Sequence, residues 1–194
     1  MHKLRQEIEV ITKLKFEIQQ EMKDNNDFGD SCRAYIKENA SSRDLEKFNL
    51  VVADLQPTMS LIFGLSGRLK RCERCLRECE AQQVSEAVTL EIQQLHQKYL
   101  DLEAQIKEAQ EIKVKVENRR DGLMKRLEAA LPDEHIKDIE YFVTQKVHLF
   151  QQHLDMDDKL KLDEEQLRDM RLQMEEENEF KALGCFRTTD ERKC

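Results

Sequence analysis

The residues of this chain best suited to chemistry are three thiols in CERCLREC, where Cys72, Cys75 and Cys79 fall on one face of a helix. Thiols at that spacing raise the question of a metal or redox site. Tetrahedral zinc needs four ligands, and a single helix offers three with no evident fourth nearby. The same positions extend an apolar stripe that begins at Leu61 and Leu65, and cysteine packs as a small hydrophobe. Core packing is therefore the favoured reading over metal or redox chemistry, and no metal or cofactor is expected. The five histidines, His2, His96, His135, His148 and His153, match no zinc-finger or metalloprotease spacing. His153 lies on a helical seam, where a polar residue more often sets register than catalyses. No phosphate-cradling glycine loop or nucleophile elbow occurs, so no catalytic residue is assigned.

A second constellation is FGLSGRLKR, Phe63 to Arg71, which holds two of the five glycines of the chain. Glycine inside an exposed helix costs roughly 1 kcal/mol relative to alanine. Ser60, Gly64 and Gly67 share one helical sector, and Arg68, Lys70 and Arg71 follow. Small side chains let another backbone approach, and the cations could meet an acidic partner. Close packing within the protein's own bundle explains the glycines equally well.

These residues must be positioned by helices. Of 194 residues, 37% are charged and 6% aromatic, with two prolines, five glycines and no tryptophan, the composition of long helices and coiled coils. The balance of 32 basic against 40 acidic residues, net −8, disfavours nucleic acid as a partner. No apolar run is expected to approach the ~20 residues that a membrane span requires, and the first residues lack the apolar core of a signal peptide. Six cysteines do not make a disulfide scaffold at this length, so a cytoplasmic chain with reduced thiols is expected.

Alternating intervals of three and four trace the helices. The first is expected over 3–40 through Leu4, Ile8, Ile11, Ile18 and Met22, with NNDFGD able to break it near 25–30. Ser41 and Asp44 mark a helix start. The next stripe runs through Leu45, Phe48, Val52, Leu55, Met59 and Ile62 to Ser66 and Leu69, with Glu73 at a seam position and a kink expected near Pro57. Another follows through Ile92, Leu95, Tyr99, Leu102, Ile106, Leu123 and Leu127. The phase shifts near 79–88, but EAQQVSEAV contains neither Gly nor Pro, so one continuous helix over 42–131 is favoured slightly above two. Such a rod would reach about 135 Å and needs a partner to be stable. Pro132 stops it, and the last helix, 133–181, carries Phe142, Leu149, Leu160 and Leu167 before an aperiodic tail at 182–194. The acidic runs there read as solvated helix faces. The fold class is all-α, an elongated segmented coiled coil treated as one domain over 1–194.

EKFNLVVADLQPTMSLIFGLSGRLKRCE, Glu46 to Glu73, resembles the core of the C-terminal conserved domain of Shroom proteins, with LSGRL at Leu65 to Leu69 its most specific part. MKDNNDFG at Met22 to Gly29 and DDKLKLDEEQ at Asp157 to Gln166 agree in order. Pro57 and the CERCLREC cysteines depart from the family pattern. The resemblance implies a non-enzymatic cytoskeletal scaffold of an actin-binding family, whose domain binds the coiled-coil region of Rho-associated kinase. It would recruit that kinase to actin-rich apical junctions and promote actomyosin contractility, apical constriction and morphogenesis. It also implies an antiparallel homodimer, with a monomeric three-helix arrangement as the family's other kinase-binding form, and actin engaged through other parts of the full-length protein. By the same resemblance Gly64, Leu65, Ser66, Gly67, Arg68, Leu69, Lys70, Arg71 and Glu73 form the docking surface, with Asp158, Lys159 and Lys161 as a further candidate. The alternative is a structural, spectrin-like tethering rod without kinase binding, which direct binding to a kinase coiled-coil fragment would distinguish.

Overall fold

A computed structural model describes the backbone of residues 2–81 and 86–187, and the side-chain surroundings of 2–81 and 88–175. It is all-α. Four long helices follow one another: α1 (His2–Asn39), α2 (Ser42–Glu80), α3 (Glu86–Glu128) and α4 (Asp133–Arg187).

The described residues divide into two compact units. The larger, Gln19–Leu154, takes parts of all four helices. Its main core joins Cys32 and Ile36 of α1, Phe48, Val51 and Leu55 of α2, Val116, Leu123 and Leu127 of α3, and Ile136, Ile139 and Phe142 of α4. Burying a side chain such as Phe48 or Phe142 fully contributes about 1.5–3 kcal/mol, which offsets the entropy of ordering such long helices. A second cluster, Leu65 and Cys72 against Leu102 and Ala109, belongs to α2 and α3 alone. In the smaller unit, 2–18 of α1 accompanies 155–187 of α4, and Lys15 forms an ion pair with Asp157.

Residues 42–131 are not one rod. α2 ends at Glu80, where the Ala81 N–H donates to the Arg77 carbonyl at 3.2 Å, and α3 starts at Glu86. The chain folds back, since Asp54 pairs with Arg119 and Asp44, ten residues earlier, with Arg126. Local propensity permitted a continuous helix, but its apolar stripes would then have faced water. Packed together they cover each other, and tertiary burial outweighs propensity. Residues 82–85, inside the expected phase shift, lie outside the described residues.

NNDFGD does not interrupt α1 either. Asn25 is buried and its Nδ2 donates to the Phe142 carbonyl at 3.2 Å, while Asn26 Oδ1 accepts from Lys146 Nζ at 2.8 Å. Gly29 lies under the Phe142 ring. The run docks α1 on α4, and that packing compensates for the low helix propensity of Asn and Gly. Gln19 and His153 are hydrogen-bonded at 3.2 Å further along the same pair. With contacts at 25/142 and 19/153, the two helices run antiparallel.

Ser41 caps α2, its Oγ accepting from the Asp44 N–H at 3.2 Å. α2 continues through exposed Pro57, and the Thr58 hydroxyl donates to the Asp54 carbonyl at 2.7 Å. After Pro132, whose carbonyl accepts from the His135 and Ile136 N–H groups, α4 opens with Asp133 and Glu134 in its first turn, where the helix dipole favours acids. It passes the expected end at 181 and reaches Arg187, so part of the expected aperiodic tail is helical; 188–194 lie outside the described residues.

Candidate functional site

α2 presents two opposed faces. One follows Val51, Leu55, Thr58, Leu65, Cys72, Leu76 and Cys79, all buried. The other runs through Leu50, Ala53, Pro57, Leu61, Gly64, Arg68 and Arg71, all exposed, at intervals of three and four. That is the spacing of a coiled-coil seam turned toward solvent. Leu50 and Leu61 are 58% and 44% exposed, unusual for leucines in such a pattern. An 18-residue window of α2 is long and apolar enough, by length and composition, to cross a membrane, contrary to the expectation that no such run exists. Only a third of that window is buried in the fold. The apolar content of α2 thus exceeds what its own core uses.

Within FGLSGRLKR, Gly64, Arg68, Lys70 and Arg71 are exposed, Ser66 and Leu69 half-buried, and Leu65 buried against α3; Glu73, two residues beyond that stretch, is half-buried. A Cβ at Gly64 would meet nothing within 4 Å, so its bare surface is open. Gly67 differs from the expected open border, because it is buried. The two glycines do different work: Gly64 leaves the outer face flat, whereas Gly67 is enclosed. Asp158 is half-buried and Lys159 and Lys161 exposed; these three belong to the smaller unit, whereas the α2 group belongs to the larger.

Of the other candidate core positions, Phe48, Val52, Leu55, Leu102, Leu123, Leu127, Phe142 and Leu149 are buried. Leu45, Met59, Ile62, Ile92, Leu95, Tyr99, Ile106, Leu160 and Leu167 are half-buried.

The thiols of Cys72 and Cys79 are buried and that of Cys75 half-buried. Cys72 Sγ donates to the Leu95 carbonyl at 3.4 Å, and burial raises the Cys79 pKa. Among the described residues no group of three His, Cys, Asp or Glu side chains is placed to hold a metal. His135 stacks on Tyr35 with ring centroids 3.5 Å apart.

Sequence reasoning passed over Leu50, Ala53, Pro57 and Leu61 as one exposed seam. The signal was present, as 50, 57, 64 and 71 are seven apart and so are 61 and 68. It also missed the buried Asp44 carboxylate, which accepts from Arg126 Nε at 2.7 Å and from the Ser41 hydroxyl. These bonds, the Arg126 one foremost, hold the Asp44 pKa below the ordinary carboxylate value.

Residues 1–174 match the family described as Apx/Shroom domain ASD2. Human Protein Shroom4 is 31% identical over 147 residues, covering 76% of this chain and 10% of that protein. Rat Protein Shroom2 is 28% identical over 161 residues, 83% of this chain and 11% of the relative. Human Protein Shroom3 is 28% identical over 165 residues, 85% of this chain and 8% of the relative. The chain thus spans about a tenth of the length of these relatives. With its four helices and the LSGRL segment on α2, this chain belongs to the Apx/Shroom ASD2 family.

Proposed function

We propose that this domain is a non-enzymatic docking module that binds the coiled-coil region of Rho-associated kinase through the outer face of α2. The observation that carries the reading is the exposed heptad seam from Leu50 to Arg71, apolar at one end and cationic at the other. A helix of a coiled coil fits such a seam by its own heptad, with acidic flanking residues opposite Arg68 and Arg71. Family membership supports the choice of kinase and a cytoskeletal setting. In that setting the domain concentrates the kinase at actin-rich apical junctions and promotes actomyosin contractility and apical constriction. Other parts of the full-length protein engage actin.

Self-association as an antiparallel homodimer belongs to the same proposal, since the exposed apolar side chains of α1, α3 and α4, such as Phe16, Leu100 and Leu172, exceed what a lone chain needs. Light scattering at micromolar concentration reads twice the chain mass if so.

Calorimetric titration with a kinase coiled-coil fragment tests docking. Arg68→Glu and Gly64→Leu change only the outer face, because Arg68 is exposed and Gly64 has open space around its Cα. Both are expected to lose about tenfold or more in affinity with helicity unchanged. Unchanged affinity in both would instead favour a tethering rod.

A further inference from the structure

Beside the α2 seam an open cleft of about 740 Å³ is lined by Arg33 of α1, Lys146 of α4 and, from α2, Val52, Ala53, Gln56 and Pro57. No carboxylate lines it. Arg33 is held by Asn49, whose Oδ1 accepts from Nε at 2.8 Å, and pairs with Asp30. Lys146 is held by Asn26, a neutral amide, and lies 5.9 Å from the Phe142 ring centroid. Burial first, and then repulsion from Arg33, lower the Lys146 pKa, with Asp30 opposing. Two cations of different helices are thus kept close enough to repel in a chain of net charge −8. Local positive surplus of this kind is a recognition element, because an anion between the two relieves the repulsion.

The position of the cleft limits what that anion can be. Ala53 and Pro57 belong both to the cleft and to the exposed seam. A helix laid along the seam therefore passes over the cleft, and its flanking side chains reach in. Lys146 is half-buried, so a projecting side chain reaches it more readily than a plane of lipid headgroups. The overall negative charge disfavours nucleic acid.

We propose that the cleft between Arg33 and Lys146 is a carboxylate socket, in which Asp or Glu side chains of an amphipathic helix lying along α2 are bound. The socket rests on the reading of the α2 seam as the docking face for the kinase coiled coil, and extends that face onto α1 and α4. It adds specificity: a helix with apolar residues for Leu50 and Leu61 but no acid at the flanking position leaves Lys146 without a carboxylate and its repulsion from Arg33 unrelieved.

The test is calorimetric titration of the whole domain with the kinase coiled-coil fragment over a range of salt. The double variant Arg33→Gln/Lys146→Gln removes charge but keeps long polar side chains, and thermal melting checks its fold. About a tenfold loss of affinity and a flatter salt dependence are expected. If Arg68→Glu abolishes binding while the folded double variant binds with unchanged affinity and salt dependence, the socket is wrong and the seam reading stands. If neither change weakens binding, both fail. An independent readout on the unmodified protein is the Lys146 ε-ammonium, followed by NMR with pH. Its pKa is expected to rise when the fragment is added, and a constant value overturns the socket. Anionic phosphatidylserine vesicles give the remaining arm: binding to them that is lost in the double variant, without loss of fragment binding, overturns the assignment to a helical partner.

Discussion

Gly29 of α1 lies beneath the ring of Phe142 of α4, so close that a Cβ would stand 2.8 Å from Cδ2 and nearer still to Cε2 and Cζ. Phe142 is only 2% exposed and packs against Phe48 at 6.0 Å between centroids, so the ring has nowhere to retreat. Gly29→Ala should therefore destabilise the fold by about 1–3 kcal/mol, despite the roughly 1 kcal/mol that alanine gains in helix propensity. Thermal melting reads the loss. Phe142→Leu in the same chain should recover part of it, and strict additivity of the two changes would contradict the contact.

Asp44 links the start of α2 to α3 through Arg126, whose hydrogen bond depresses the folded pKa of its carboxyl. A depressed carboxylate contributes stability that is present above its unfolded pKa and lost as pH falls through the folded one. Asp44→Asn should consequently melt below the parent at pH 7, and the gap should narrow as pH drops below about 4. Equal gaps at pH 7 and pH 3 would show that the charge is not what matters.

Thiol reactivity follows burial. Half-buried Cys75 should alkylate first among Cys32, Cys72, Cys75 and Cys79, because the other three are buried. Burial pushes Cys32 up to about 11 and raises Cys79, which leaves little thiolate at pH 8. Peptide mapping after brief iodoacetamide treatment checks the order. Serine at Cys75 should leave kinase-fragment binding intact, and stoichiometric zinc lost together with helicity on chelation would refute a packing role.

Asp163 occupies the α4 seam between Leu160 and Leu167, is 7% exposed, and has no hydrogen-bond partner for Oδ2 among the described residues. A buried polar atom left unpaired costs about 1–3 kcal/mol, so Asp163→Leu should raise the melting temperature of the domain. A lower melting temperature, accompanied by a smaller mass in light scattering, would mean that a second copy pairs with this carboxylate.

The helices were legible because their apolar residues recur every three or four positions, from Ile8 to Leu167, and Ser41 with Asp44 announced a cap by chemistry alone. What escaped depends on contacts distant in sequence. Nothing in EAQQVSEAV forces a reversal; Leu65 and Cys72 finding Leu102 and Ala109 does. NNDFGD looks like a break until Phe142 and Lys146, more than a hundred residues later, are placed against it. On α2 two heptad stripes coexist, and only burial tells Leu55 from Leu61. The cleft has walls from three helices, so no local pattern could announce it.

The bond from Asn25 to Phe142 spans 117 residues, which sets an order of events during synthesis. α2 and α3 are neighbours in the chain and can pair once both have left the ribosome, but α1 must wait for α4. At about 5–20 residues per second, that interval is on the order of ten seconds. Through most of it Phe48 lacks both Leu127, made only shortly before Phe142, and the α4 residues of the same core. The nascent chain therefore leaves the Phe48 ring without α3 and α4 cover, open to chaperones, until the Phe142 segment has been made.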